Sequence, residues 1–206
     1  MNRLKGAVLG LAFMALPAIA QAQLINFDDL SGCGTPVSNG YQGFNWSNFN
    51  VLDGTNRGCT PVSGYANGVV SSPMVAYNAF AALATVSSAN PFTFNSVYLT
   101  AAWNDGMTVT VNGYDASNNV IDNMSFLLST AGPTNKVFNW TGVYSVDFVG
   151  SGGVNHGYSG GGTHIVFDNM VMNNAQVTPE PATLVLLATG LAGIGGIVRR
   201  RRQKNS

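Results

Sequence analysis

The stretch Phe92–Leu128, FTFNSVYLTAAWNDGMTVTVNGYDASNNVIDNMSFLL, decides the fold. From Met107 to Tyr114 apolar and polar residues alternate strictly, the period of a strand with one face buried and one wet. Two turn signals punctuate it. Asn104-Asp105-Gly106 reads as the link between a strand ending at Trp103 and one starting at Met107. Asp115-Ala116-Ser117-Asn118-Asn119 reads as a hairpin loop into a strand from Val120 to Leu128.

Working outward, the same alternation predicts strands at Leu24–Phe27, Gly43–Leu52, Met74–Tyr77, Lys136–Trp140, Tyr144–Val149 and Thr163–Met172. The Ala76–Val86 segment is ambiguous between a short helix and a strand edge. A 3.6-residue apolar stripe is absent from the whole central region. The reading is all-β: an antiparallel, jelly-roll-like β-sandwich spanning residues 23–176, with a signal peptide before it and a single hydrophobic helix after it. The hairpin around Thr110–Ile121 resembles that of carbohydrate-binding-module-like sandwiches, which implies a fold more than a ligand.

Composition agrees: 46% of residues are hydrophobic, only 9% are charged, and 25 are glycine. Ser, Thr, Asn and Gly therefore supply most of the polar surface. The overall balance of nine basic and nine acidic residues hides a strong asymmetry, because seven of the basic ones lie near the ends. Between Gln23 and Thr178 only Arg57 and Lys136 face eight aspartates, a net charge of −6. That excludes the electrostatic footprint of a nucleic-acid binder and leaves room for a cation.

Residues 1–22 read as a secretory signal peptide: Arg3 and Lys5, an apolar run from Gly6 to Ile19, then Ala18-Ile19-Ala20 and Ala20-Gln21-Ala22 as candidate cleavage sites. The run is shorter than the roughly 20 residues needed to span a bilayer. In an exported chain Cys33 and Cys59 are expected to form a disulfide, closing a loop of about 25 residues and contributing on the order of 3 kcal/mol.

Residues 177–206 combine Pro179-Glu180-Pro181, an apolar helix at 182–198 and the basic cluster Arg199–Arg202. The arginines would stay cytoplasmic, so the helix would act as a transient stop-transfer anchor in the inner membrane. This tail resembles the PEP-CTERM sorting signal of Gram-negative bacteria. The resemblance implies recognition by an exosortase, a membrane-embedded transpeptidase, and delivery to the cell surface or extracellular matrix. Such tails are also grouped with ice-binding proteins, which concerns the tail alone.

Candidate chemistry is sparse. Asn26-Phe27-Asp28-Asp29-Leu30 and Val166-Phe167-Asp168-Asn169-Met170 lie near the domain's two ends, and domain termini often meet. Together they could offer oxygens to structural Ca2+, with Asp28 and Asp168 as ligands, an expectation that resemblance to jelly-roll carbohydrate-binding modules strengthens. The alternative is that these aspartates cap turns through backbone amides. Trp103, beside its turn, is the tryptophan expected to be exposed and, with Asp105, to touch a ligand such as polysaccharide; Phe44 and Trp46 are expected in the core. His156 and His164 stand eight residues apart in a Gly-rich stretch. The one glutamate is Glu180, and nucleophile-elbow and HExxH patterns are missing, so the domain reads as non-enzymatic. The alternatives are a secreted hydrolase acting on polysaccharide and a purely structural matrix domain.

Overall fold

In a computed structural model, residues 22–174 are described. The predicted signal peptide and the predicted C-terminal helix, with Pro179, Glu180 and Pro181, lie outside them. Among the described residues no helix is long and apolar enough to cross a membrane.

Twelve strands follow in order: β1 (Gln23–Ile25), β2 (Cys33–Pro36), β3 (Asn45–Ser47), β4 (Phe49–Asp53), β5 (Met74–Asn78), β6 (Ala84–Ala101), β7 (Asn104–Asp105), β8 (Met107–Tyr114), β9 (Val120–Leu128), β10 (Thr134–Ser151), β11 (Val154–Asn155) and β12 (Ile165–Asn174). The only α-helical turn among them is α1 (Gly64–Asn67). Every ladder is antiparallel. The main path runs β2-β4-β5-β12-β6-β10-β8-β9, with β1 on β12 and β3 on β6.

The sheet becomes a sandwich because β6 and β10 are long and bend together. Thr134–Val143 of β10 pairs with Leu99–Phe92 of β6, and Ser145–Phe148 pairs with Ser87–Ala84. Residues 88–91 have no partner across that ladder. Pro91, which has no N–H to give, therefore costs no ladder bond there. One layer holds β3, the start of β6, the end of β10, β8 and β9; the other holds β2, β4, β5, β12 and the remaining halves of β6 and β10.

Between the layers Phe148 meets Phe167 at 5.0 Å and Phe94 at 5.7 Å, and Phe49 meets Phe167 at 4.9 Å. All four rings are buried. Truncating such a ring to Ala costs about 3–5 kcal/mol. Strand β8 gives the core Met107, Val109, Val111 and Gly113 and turns Thr108, Thr110, Asn112 and Tyr114 outward, as its alternation requires. Its hairpin to β9 is fixed by Asp115, whose carboxylate accepts the amides of Ser117 (2.8 Å) and Asn119 (2.9 Å).

The structure also corrects the strand map. The predicted Gly43–Leu52 strand breaks at Asn48, which adopts φ 56° and lets β3 and β4 join different layers. Asn104-Asp105-Gly106 is not a hairpin. It carries the chain from one layer to the other, since β6 pairs with β10 and β12 while β8 pairs with β10 and β9.

Candidate functional site

The terminal strands do meet: Ile25 of β1 stands opposite Met170 of β12. Their aspartates serve the chain between them. The Asp28 carboxylate accepts the Met74 amide at 2.9 Å. Asp168, fully buried, accepts the amides of Val70 (2.6 Å) and Ser71 (2.9 Å), the Ser71 hydroxyl (3.2 Å) and its neighbour Asn169's amide (2.7 Å). Burial pushes the Asp168 carboxyl up to about 6, opposed by those N–H donors. Calcium at this place would have to displace donors that already fill the Asp168 oxygens. Among the described residues no group of three or more His, Cys, Asp or Glu side chains stands together as a metal cluster.

Trp103 is not exposed. Only 8% of it reaches solvent, because a second, smaller core lies on the back of β4, β5 and β12, formed by Leu52, Tyr65, Val75, Ala102, Trp103 and Val166. Tyr65 packs edge-on against the indole at 5.3 Å. The Gly-rich loop closes over it, so tightly that a Cβ on Gly160 would lie 2.5 Å from the ring. The sequence could not reveal this cover, which arrives from a segment with no strand pattern of its own. Asp105 is exposed, but its carboxylate accepts the Ser129 hydroxyl (2.8 Å) and the Thr130 amide (2.9 Å). Those bonds, the Thr130 amide foremost, lower its pKa. It fastens a turn. His164 bonds through Nδ1 to the Tyr65 hydroxyl and stacks on Tyr77, and burial lowers its pKa.

Cys33 and Cys59 are joined, with Cα atoms 5.4 Å apart. A cleft of about 550 Å³ opens beside them, lined in part by Leu30, Met74, Asn56 and Asp53. Asp53 is committed there to the turn that follows it, accepting from the Thr55 amide and hydroxyl and the Asn56 amide.

The most extended polar arrangement is the outer face of the β3-β6-β10-β8-β9 layer. Register places Ser47, Thr85, Asp147, Asn112 and Asn123 in one row across five strands. At about 4.8 Å per strand the row spans roughly 19 Å. The neighbouring row is Asn45, Ser87, Ser145, Tyr114 and Val120. Between the two rows Asp147 is the only carboxylate. Thr85 donates to it at 2.5 Å, Asn123 donates to Asn112 at 2.5 Å, and Thr110 and Ser125 share a bond of 2.9 Å one step along. Burial, then the Asp147 charge and a hydrogen bond to it, raise the Tyr114 pKa, so its hydroxyl is a neutral donor. Short Ser, Thr and Asn side chains already tied to one another lose little rotamer freedom when a ligand covers them. Alternation made the outward side of β8 legible; the row was not, because it needs strands from five separate segments.

Among solved structures, the chain is similar to a DUF4465 family protein from Bacteroides caccae, with 10% identity over 74% of this chain and 85% of that one and a TM-score of 0.49. It is also similar to a DUF4465 family protein from Bacteroides ovatus, with 10% identity over 78% and 97% and a TM-score of 0.38. A third is TmCBM61, solved in complex with β-1,4-galactotriose, with 8% identity over 68% and 97% and a TM-score of 0.37. No curated protein matches the chain. The family model that matches is the PEP-CTERM protein-sorting motif, over residues 177–202, a span that contains Pro179-Glu180-Pro181; the chain carries this sorting tag and is an exported, surface-associated protein.

Proposed function

We propose that the β-sandwich is a non-enzymatic binding module for neutral polysaccharide, displayed at the cell surface or in the extracellular matrix. An exosortase-type transpeptidase would process the tail after a transient stay in the inner membrane of a Gram-negative cell. The observation that carries the binding reading is the row Ser47-Thr85-Asp147-Asn112-Asn123 with Tyr114 beside it. Hydroxyl and amide groups can donate and accept alternately, which matches a chain of sugar hydroxyls, while one phenol ring offers an apolar surface for a sugar face. A hydrolytic pair needs two carboxyl groups facing one bond. Across these two rows Asp147 stands alone.

The test is a glycan array probed with the exported protein, repeated for Tyr114→Ala and Asp147→Asn. The reading expects one class of neutral polysaccharide to be retained and each variant to bind it at least about tenfold more weakly, as loss of an aromatic contact or a charge-assisted bond would cause. Retention unchanged in both variants would place any sugar site elsewhere. Release of reducing ends from the retained glycan would replace the binding module with a hydrolase.

A further inference from the structure

We propose that β9 is a self-pairing edge through which two copies of this protein join into one continuous sheet, an inference independent of the polysaccharide reading. Strand β9 pairs with β8 on one side and with nothing on the other among the described residues. Its free side is nine residues long. An unpaired edge of this kind offers a row of main-chain donors and acceptors to another strand, and proteins that stay single blunt it. The other edges here are blunted. Strand β2 has four residues and contains Pro36, β3 has three, and the first part of β10 is interrupted by register shifts at Val137/Trp140 and Trp140/Val143. Strand β9 carries no Lys and no Pro, its pairing with β8 is regular from Asp122 to Leu128 with one bulge near its start, where Ile121 has no opposite residue between Val120 and Asp122, and it leaves Ile121 (44%) and Leu127 (65%) exposed.

The sequence of β9, VIDNMSFLL, is matched to itself in one antiparallel register, centred on Met124. In that register Ile121 faces the partner's Leu127 on the outer face, and Asn123 faces the partner's Ser125. Both relations occur twice by symmetry. On the inner side Asp122 falls opposite the partner's Phe126. The Phe126 ring is not bare: the Lys136 ammonium lies 4.5 Å over its centroid. Each Asp122 would therefore meet the partner's Lys136, one of only two cations between Gln23 and Thr178. A slip of one residue would invert the faces. A slip of two sets Ile121 against the partner's Ser125 or Asn123 against the partner's Leu127, and separates the acid from the base. Apolar pairing, polar pairing and charge pairing thus select the same register, the match expected of an isologous two-fold contact. The outer rows of the two copies would then run on into each other.

The experiment uses the full chain recovered from producing cells. Met124 faces its own copy across the axis, where directly opposed Cβ atoms lie about 4.5–5.5 Å apart, near enough for a disulfide after small adjustment. Met124→Cys should therefore give a disulfide-linked dimer on a non-reducing gel, and Thr110→Cys, one strand inward, should not. In sedimentation the unmodified protein should be a dimer. Asp122→Lys and Lys136→Asp should each weaken it about tenfold or more, and the two together should restore it, an outcome that a folding defect cannot imitate. A wild-type monomer, equal cross-linking at both cysteines, failure of the double exchange to restore the dimer, or a strand of another protein on β9 would each overturn the proposal.

Discussion

The Val70 amide donates to the Asp168 carboxylate at 2.6 Å across 98 residues of sequence. With the Ser71 amide, bonded to Asp168, and the Met74 amide at the start of β5, bonded to Asp28, it ties the chain running from α1 into β5 to β12 and to the turn that follows β1. The interaction is local in space and remote in sequence. Its electrostatics lead to the first prediction.

Asp168 has its folded pKa raised from the ordinary 3.8 to about 6, so the native state holds a proton that the unfolded chain gives up. Its contribution to stability is full below about pH 4 and is lost as pH rises through 6, by about 2–3 kcal/mol in all. Asp168→Asn, which keeps an acceptor oxygen, should flatten this slope between pH 4 and 6. Urea unfolding across that range measures it, and a wild-type slope equal to the variant's would show that the amide bonds balance the burial.

Calcium is the second case. Asp168 already accepts three main-chain amides and a hydroxyl, and Asp28 one amide, so we expect the melting temperature to be indifferent to EDTA and to added calcium. A bound ion at a hundred times its dissociation constant would add about 2.7 kcal/mol, several degrees for a domain of this size. A calcium-dependent rise abolished by Asp28→Ala would establish the cation site.

Trp103 and Tyr114 should separate cleanly in their effects. Trp103 is enclosed by Tyr65 and by the loop at Gly160, so Trp103→Ala should cost about 3–5 kcal/mol. Gly160→Ala drives a methyl against a rigid ring and should cost about 1–3 kcal/mol. Tyr114→Ala, on the wet face, should stay within about 1 kcal/mol while weakening glycan retention. Thermal melts of the three variants decide it; a mild Trp103→Ala would mean the Gly-rich loop does not close in solution.

Replacing Pro179-Glu180-Pro181 with three alanines should leave the exported protein unprocessed and membrane-associated, because the two prolines hold an extended segment for a transpeptidase. Cell fractionation with mass measurement of the mature C-terminus reads the outcome. Normal processing in the variant would remove the motif's role.

Features that depend on neighbours along the chain could be read from residue order. Alternation in Met107–Tyr114 assigned one side to the core, the Asp115–Asn119 loop set a hairpin register, and the Phe44 and Trp46 parity placed both rings inside. The sorting tag was legible for the same reason, since the motif is a linear order of residues within 177–202. Tertiary structure alone decided the rest. A period of two says which way a side chain points and not which strand lies beside it, so the Ser47-to-Asn123 row exists only once five strands are aligned. Trp103 beside a turn had every local sign of exposure; its burial was set by a glycine loop whose lack of side chains lets it approach the indole. Whether Asp168 would offer its oxygens to a cation or to backbone amides was not legible, because the amides that reach it belong to a turn with no pattern of its own, brought there by the pairing of β5 with β12.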